Sequence, residues 1–173
     1  MQFTVREKDS KEPEAVLFQS LEPLLHGIRM ALIDLNVFHG RRGGVQVKAV
    51  VMAAERSSVE NGSTDTGIED CARAHRLIMP RLELAFPGKD ISLEVSSPGI
   101  DRLIKDGSEF AHFIGRQLRC YRVDISDWTT GILRATDEEK IVLETEGGET
   151  ILSYNTIAKA RLGAAAVSKA QRV

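Results

Sequence analysis

The chain has 173 residues, 42% hydrophobic and 28% charged, with a formal net charge of −2. That length holds one ordinary domain or two small ones with separate cores, and the composition excludes a disordered chain. The charge argues against a protein that coats nucleic acid through bulk positive charge, and no apolar run approaches the ~20 residues of a membrane span.

The stretch from Met1 to Glu14 alternates charges and lacks the apolar core of a signal peptide, so a cytoplasmic protein is expected. Glu12-Pro13-Glu14 reads as a helix start, and Val16, Leu17, Leu21, Leu24 and Leu25 continue at helical spacing. Pro23 is expected to kink or shorten this helix. Ile33, Leu35 and Val37 alternate with Asp34 and Asn36, and Val45, Val47, Ala49 and Val51 alternate after a glycine-rich turn. The pair reads as a β-hairpin with a basic tip at Arg41 and Arg42.

Ser57 to Gly67 is a polar loop. Thr66 and Glu69 have the spacing of a capping box, opening a second helix whose apolar stripe is Ile68, Cys71, Ala72, His75, Ile78, Met79 and Leu82. Pro80 is expected to bend or end it. After Pro87-Gly88 a strand runs from Ile91 to Val95. The order helix, strand, strand, helix, strand predicts an αββαβ two-layer domain with both helices on one face and the last strand parallel.

Beyond Arg102 the rhythm changes. Phe110, Phe113 and Ile114 suit a short helical turn, and strands then follow at roughly eight-to-twelve-residue spacing, as in small all-β barrels. They are expected at Gln117–Asp124, Trp128–Ala135, Lys140–Thr145, Thr150–Ser153 and Ala158–Leu162. Gly131 lies inside one of them, where glycine marks a bulge or sharp bend. The predicted class is α+β: an N-terminal αββαβ domain (1–97), a joint (98–102), a small SH3/Sm-like β-barrel (103–163) and a basic flexible tail (164–173). From Lys159 onward Lys159, Arg161, Lys169 and Arg172 meet no acidic residue.

Catalytic patterns are missing. Ser96 and Ser97 lack a G-x-S-x-G elbow, no phosphate-binding or dinucleotide glycine motif follows a strand, and Glu69 and Asp70 are adjacent and diverge on a helix. Cys71 and His75 share a helix face, but a zinc site needs about four ligands and no further Cys/His cluster exists. No enzyme activity, metal or cofactor is expected. Two distant cysteines, Cys71 and Cys120, read as reduced thiols. Gly40-Arg41-Arg42-Gly43 spells the G-x-x-G of KH domains, yet it joins strands where that loop joins helices, so no KH site is assigned. Arg41 and Arg42 remain candidates for phosphate or acidic-protein contact. Arg116 and Arg122 fall on one face of the first barrel strand by alternation and Arg119 on the other. Trp128 reads as core packing.

Leu93-Glu94-Val95-Ser96-Ser97-Pro98-Gly99-Ile100-Asp101-Arg102 resembles the central signature of the bacterial ribosome maturation factor RimP family. Ile68-Glu69-Asp70-Cys71, Gly131-Ile132-Leu133, Ile141-Val142-Leu143 and Ile157 to Leu162 are similar to further motifs of that family in the same order. Leu103 stands where the family usually has proline, which implies a less rigid joint. The resemblance implies a non-catalytic factor that binds the immature small (30S) ribosomal subunit, with a basic ribosomal protein near the decoding centre and rRNA as partners. Nothing in the sequence demands more than a monomer. The ribosome-facing residues the resemblance suggests are Ser96, Ser97, Pro98, Gly99, Asp101 and Arg102, joined by Arg41, Arg42, Arg116, Arg122, Lys159 and Arg161 from the charge pattern. Asp101 and Arg102 are expected to pair across the joint. The alternative is a direct RNA-binding Sm-like module acting on rRNA or another RNA. A peptide-binding SH3-like adaptor is a weaker third reading, because its aromatic groove is not evident.

Overall fold

The structure, a computed structural model, describes residues 13–40, 43–53 and 66–163. It is a mixture of helices and sheets in two compact units, one ending at Pro98 and the other starting at Gly99.

In the first unit the chain runs α1 (Pro13–Gly27), β1 (Met30–His39), β2 (Val45–Ala53), α2 (Ile68–Ala85) and β3 (Ile91–Ser96). The sheet order is β1-β2-β3, with β2 antiparallel to β1 and parallel to β3. A tight turn can only reverse the chain, whereas the α2 crossover returns it to the start of β2 and lets β3 run alongside. Central β2 alternates cleanly: Val45, Val47, Ala49 and Val51 are buried while Gln46 and Lys48 are exposed. Against that inner face pack Leu17, Leu21 and Leu25 of α1 and Ala74, Ile78 and Leu82 of α2, so both helices cover one side.

Both interior prolines are tolerated. α1 continues through Pro23 and α2 through Pro80, and both rings are exposed. Each proline lies between fully buried neighbours one helical turn apart, Leu21 and Leu25 or Ile78 and Leu82. Burial at about 1.5–3 kcal/mol per side chain offsets the ~3 kcal/mol cost of an interior proline. The α2 stripe is also narrower than its sequence suggests: Ile68 is 89% exposed, and the buried residues are Ala74, Ile78 and Leu82. The helix start shifts by one residue. Asp70 Oδ2 accepts from the Gly67 backbone N–H at 3.1 Å, while the Thr66 hydroxyl accepts from Ala53 N–H at 3.0 Å, serving the end of β2 instead of capping the helix.

The second unit contains β4 (Leu103–Ile104), a 3₁₀ helix (Gly107–Phe113), β5 (Gln117–Arg122), β6 (Asp127–Thr136), β7 (Lys140–Thr145), β8 (Gly148–Ser153), a 3₁₀ turn (Tyr154–Thr156) and β9 (Ile157–Leu162). Where five barrel strands are expected, the described residues form an antiparallel six-stranded sheet ordered β4-β9-β5-β6-β7-β8. Among those residues no pairing joins β4 to β8. The additional strand is the two-residue β4, too short for periodicity to reveal. The core gathers Phe110, Phe113, Leu118, Leu133, Ile141 and Leu143, while Ile114 remains 47% exposed. Tyr154 stacks on Phe110 with ring centroids 5.6 Å apart, and its hydroxyl donates to the Asp137 carbonyl at 2.7 Å.

Gly131 is required by close backbone approach. A Cβ there would lie 2.6 Å from the Glu144 carbonyl oxygen on neighbouring β7. Gly131→Ala is expected to cost about 1–3 kcal/mol through forced separation of β6 and β7. Urea unfolding checks this: the midpoint should fall with the slope unchanged.

Candidate functional site

The signature of residues 93–102 begins as part of β3. Leu93 and Val95 turn toward the helices, half-buried against the first core, and Glu94 pairs across the sheet with Lys48 at 3.0 Å. Ser96 and Ser97 are exposed and Pro98 is half-buried. Gly99 has φ +69°, a conformation glycine adopts without strain, which gives this position a backbone reason for its identity.

Asp101 and Arg102 do not form the mutual pair expected of them; each takes a partner within the second unit. Asp101 accepts twice from Arg161 Nη1, through Oδ2 at 2.9 Å and through its backbone carbonyl at 3.1 Å. This pair is substantially exposed and contributes only about 0–1 kcal/mol. Arg102 instead donates from Nε and Nη2 to Glu109 Oε2 at 3.1 and 2.9 Å, with the two side chains 10% and 6% exposed. The second oxygen of Glu109 accepts from the Lys105 backbone N–H at 3.2 Å. The Arg102 carbonyl accepts from Leu162 N–H at 2.9 Å, and Leu103 and Ile104 pair with Arg161 and Ala160. The ion pair therefore anchors the strand that follows it. Glu109 was not legible in advance: a carboxylate beside two phenylalanines in a short helical turn carries no sequence signal for burial.

Arg41 and Arg42 lie outside the described residues, as do the 164–173 tail and most of the Ser57–Gly67 loop. Arg116 is half-buried just before β5, its backbone bonded to Phe113 and Leu133. Arg122 hydrogen-bonds Asp124 through both Nε and Nη2; the pairing holds the Asp124 carboxyl below its ordinary range and raises the guanidinium. The register shift at Tyr121 and Arg122 puts the extra residue, Ala158, on β9. Strand β5 keeps continuous register with β6 through Arg122, so alternation sets Arg122 on the same side as buried Leu118 and Cys120 and opposite to Arg119. Lys159 is exposed on β9 opposite Tyr121, and Arg161 on the same strand lies opposite Arg119.

Three residues set aside from the candidate list come together here. Arg119 lies over the Trp128 ring, 5.1 Å from its centroid, and Tyr121 meets Trp128 edge-on at 5.5 Å. Trp128 is half-buried on the outer face, outside the core. Only the β5–β6 register reveals the cluster, by setting Tyr121 opposite Trp128 and Arg119 opposite Thr130.

Among the described residues no group of three or more His, Cys, Asp or Glu is placed to hold a metal, and no helix is long and apolar enough to cross a membrane. Cys71 and Cys120 are free thiols. Burial pushes Cys120 up to about 12, and burial together with the Asp70 charge raises Cys71.

Residues 20–101 match the family model described as the RimP N-terminal domain. The chain is 26% identical to a ribosome maturation factor RimP from Borrelia garinii subsp. bavariensis over 146 residues, 84% of this chain and 92% of that protein. The two findings support the RimP family for this chain.

Glu109→Ala should destabilise the second unit by about 3–5 kcal/mol, because it removes a buried carboxylate from a buried guanidinium. Replacing Arg102 and Glu109 together with methionine should recover part of that loss; chemical denaturation of these two variants beside the unaltered protein checks both. Thiol titration at about pH 8 should leave Cys120 unreacted until the protein unfolds, since only thiolate reacts and burial favours the neutral form.

Proposed function

We propose that this protein is a non-catalytic ribosome maturation factor of the cytoplasm that binds the immature small (30S) ribosomal subunit and assists its assembly. The observation that carries this reading is similarity to a ribosome maturation factor over 84% of the chain, beyond the matched N-terminal domain. In this reading residues 1–97 form the N-terminal domain, 98–102 the joint, 103–163 an SH3/Sm-like barrel and 164–173 a basic tail. Support for the barrel comes from the close β6–β7 approach at Gly131, the register shift between Leu133 and Ala135, and the 3₁₀ turn that links β8 to β9.

The protein acts as a monomeric charge-complementary holder. A basic ribosomal protein is met by acidic surface, which increases its capture rate more than its affinity. One such surface is the β7–β8 hairpin, where Glu149 on β8 and Glu146 in the turn are exposed, while Glu144 opposite Glu149 is already paired with Arg134. The Ser96–Arg102 stretch, the Arg41–Arg42 tip, Arg116, Arg122, Lys159 and Arg161 belong to the ribosome-facing set in this proposal. Arg102, Arg122 and Arg161 already hold carboxylate partners, so their contribution to phosphate contact is reduced unless those pairs open.

Gradient co-sedimentation with free small subunits, whole ribosomes and naked rRNA at two salt concentrations tests the reading. The expected result is preferential association with free small subunits. Equal, salt-labile association with naked rRNA would transfer the function to a general RNA-binding module, and no association would end both.

A further inference from the structure

The outer face of β9, β5 and β6 carries two cations with no carboxylate partner among the described residues, Arg119 and Lys159, beside the Tyr121–Trp128 aromatic pair. Most other arginines of this unit are neutralised locally: Arg102 by Glu109, Arg122 by Asp124, Arg134 by Glu144 and Arg161 by Asp101. Asp127 is the acidic neighbour of the aromatic pair, and it accepts from the Trp128 backbone N–H at 2.7 Å. A protein needs neither an outward tryptophan nor a guanidinium held against it to fill a core.

We propose that this face binds single-stranded RNA. Unstacked bases lie against the Arg119–Trp128–Tyr121 cluster, and neighbouring phosphates meet Arg119 and Lys159. Every base offers a π-face to an aromatic ring or a guanidinium plane, so such a platform is tolerant of sequence, and flanking cations track the backbone. The sheet supplies the spacing: adjacent strands lie about 4.8 Å apart, which sets Lys159, Tyr121 and Trp128 in a row across three strands. An acidic peptide would use the cations but leave the ring faces without a partner. The choice of RNA rests in part on the ribosomal role proposed above, and the experiment separates the two.

Trp128 is the chain's one tryptophan, so its fluorescence reports this surface directly. The full chain is titrated with a short single-stranded RNA of mixed sequence, with polyglutamate as the control polyanion. Saturable quenching by RNA but not by polyglutamate is expected. Two phosphate contacts give a slope of about −1.4 in log affinity against log salt. Arg119→Ala combined with Lys159→Ala, both at exposed positions, should weaken binding roughly tenfold with an unchanged melting temperature. Trp128→Leu, followed by competition with labelled RNA, should also cost roughly tenfold while retaining apolar contact in the sheet. Absence of quenching, quenching that survives the double substitution, or equal quenching by polyglutamate overturns the proposal. Failure here while the chain still co-sediments with small subunits removes this surface and leaves the assembly role. RNA quenching without co-sedimentation keeps the surface and removes that role.

Discussion

A carboxylate removed from water governs the start of the second unit. Glu109 is the charged member of the buried set among the described residues, and an isolated charge there would cost several kcal/mol. It is sustained by two hydrogen bonds from Arg102 and one from the Lys105 backbone. Those bonds tie the last residue of the signature to the 3₁₀ helix. Between them runs β4, two residues long and too short to hold a register by its own ladder. The side-chain pair does what the ladder cannot.

That economy of charge shapes the surface as well. The chain's 23 Lys and Arg are offset by 25 Asp and Glu, and most arginines of this unit are already committed to carboxylates. What is left concentrates in two places of opposite character. Arg119 and Lys159 sit with the aromatic pair on the outer face of β9, β5 and β6, while Glu146 and Glu149 sit on the β7–β8 hairpin. The proposed role of bringing a basic protein to RNA needs both signs, held apart by a rigid scaffold. One antiparallel sheet provides that separation, because strand order fixes which charges can approach each other.

The first unit shows how far packing overrides local rules. Proline inside a helix removes a hydrogen bond and clashes with the preceding turn, yet both helices continue through one. The flanking leucine and isoleucine side chains are fully buried in the core shared by the helices and the sheet, and the energy of that burial offsets the local penalty. Ile68 shows the reverse: apolar and in helical register, it stays exposed because the helix begins there and presents it to solvent.

The alternation of Val45, Val47, Ala49 and Val51, the helical spacing of Leu17, Leu21 and Leu25, and the change of rhythm beyond Arg102 were readable as sequence. They are local patterns with a fixed period, and burial of one face follows from each. The 93–102 signature and its resemblance to the RimP family were equally readable. Tertiary structure alone decided the partners of Asp101 and Arg102, the burial of Glu109, and the outward cluster of Arg119, Tyr121 and Trp128. Each depends on which strands become neighbours and in what register. Such contacts join residues up to sixty positions apart, as Asp101 and Arg161 are, and no local period encodes them.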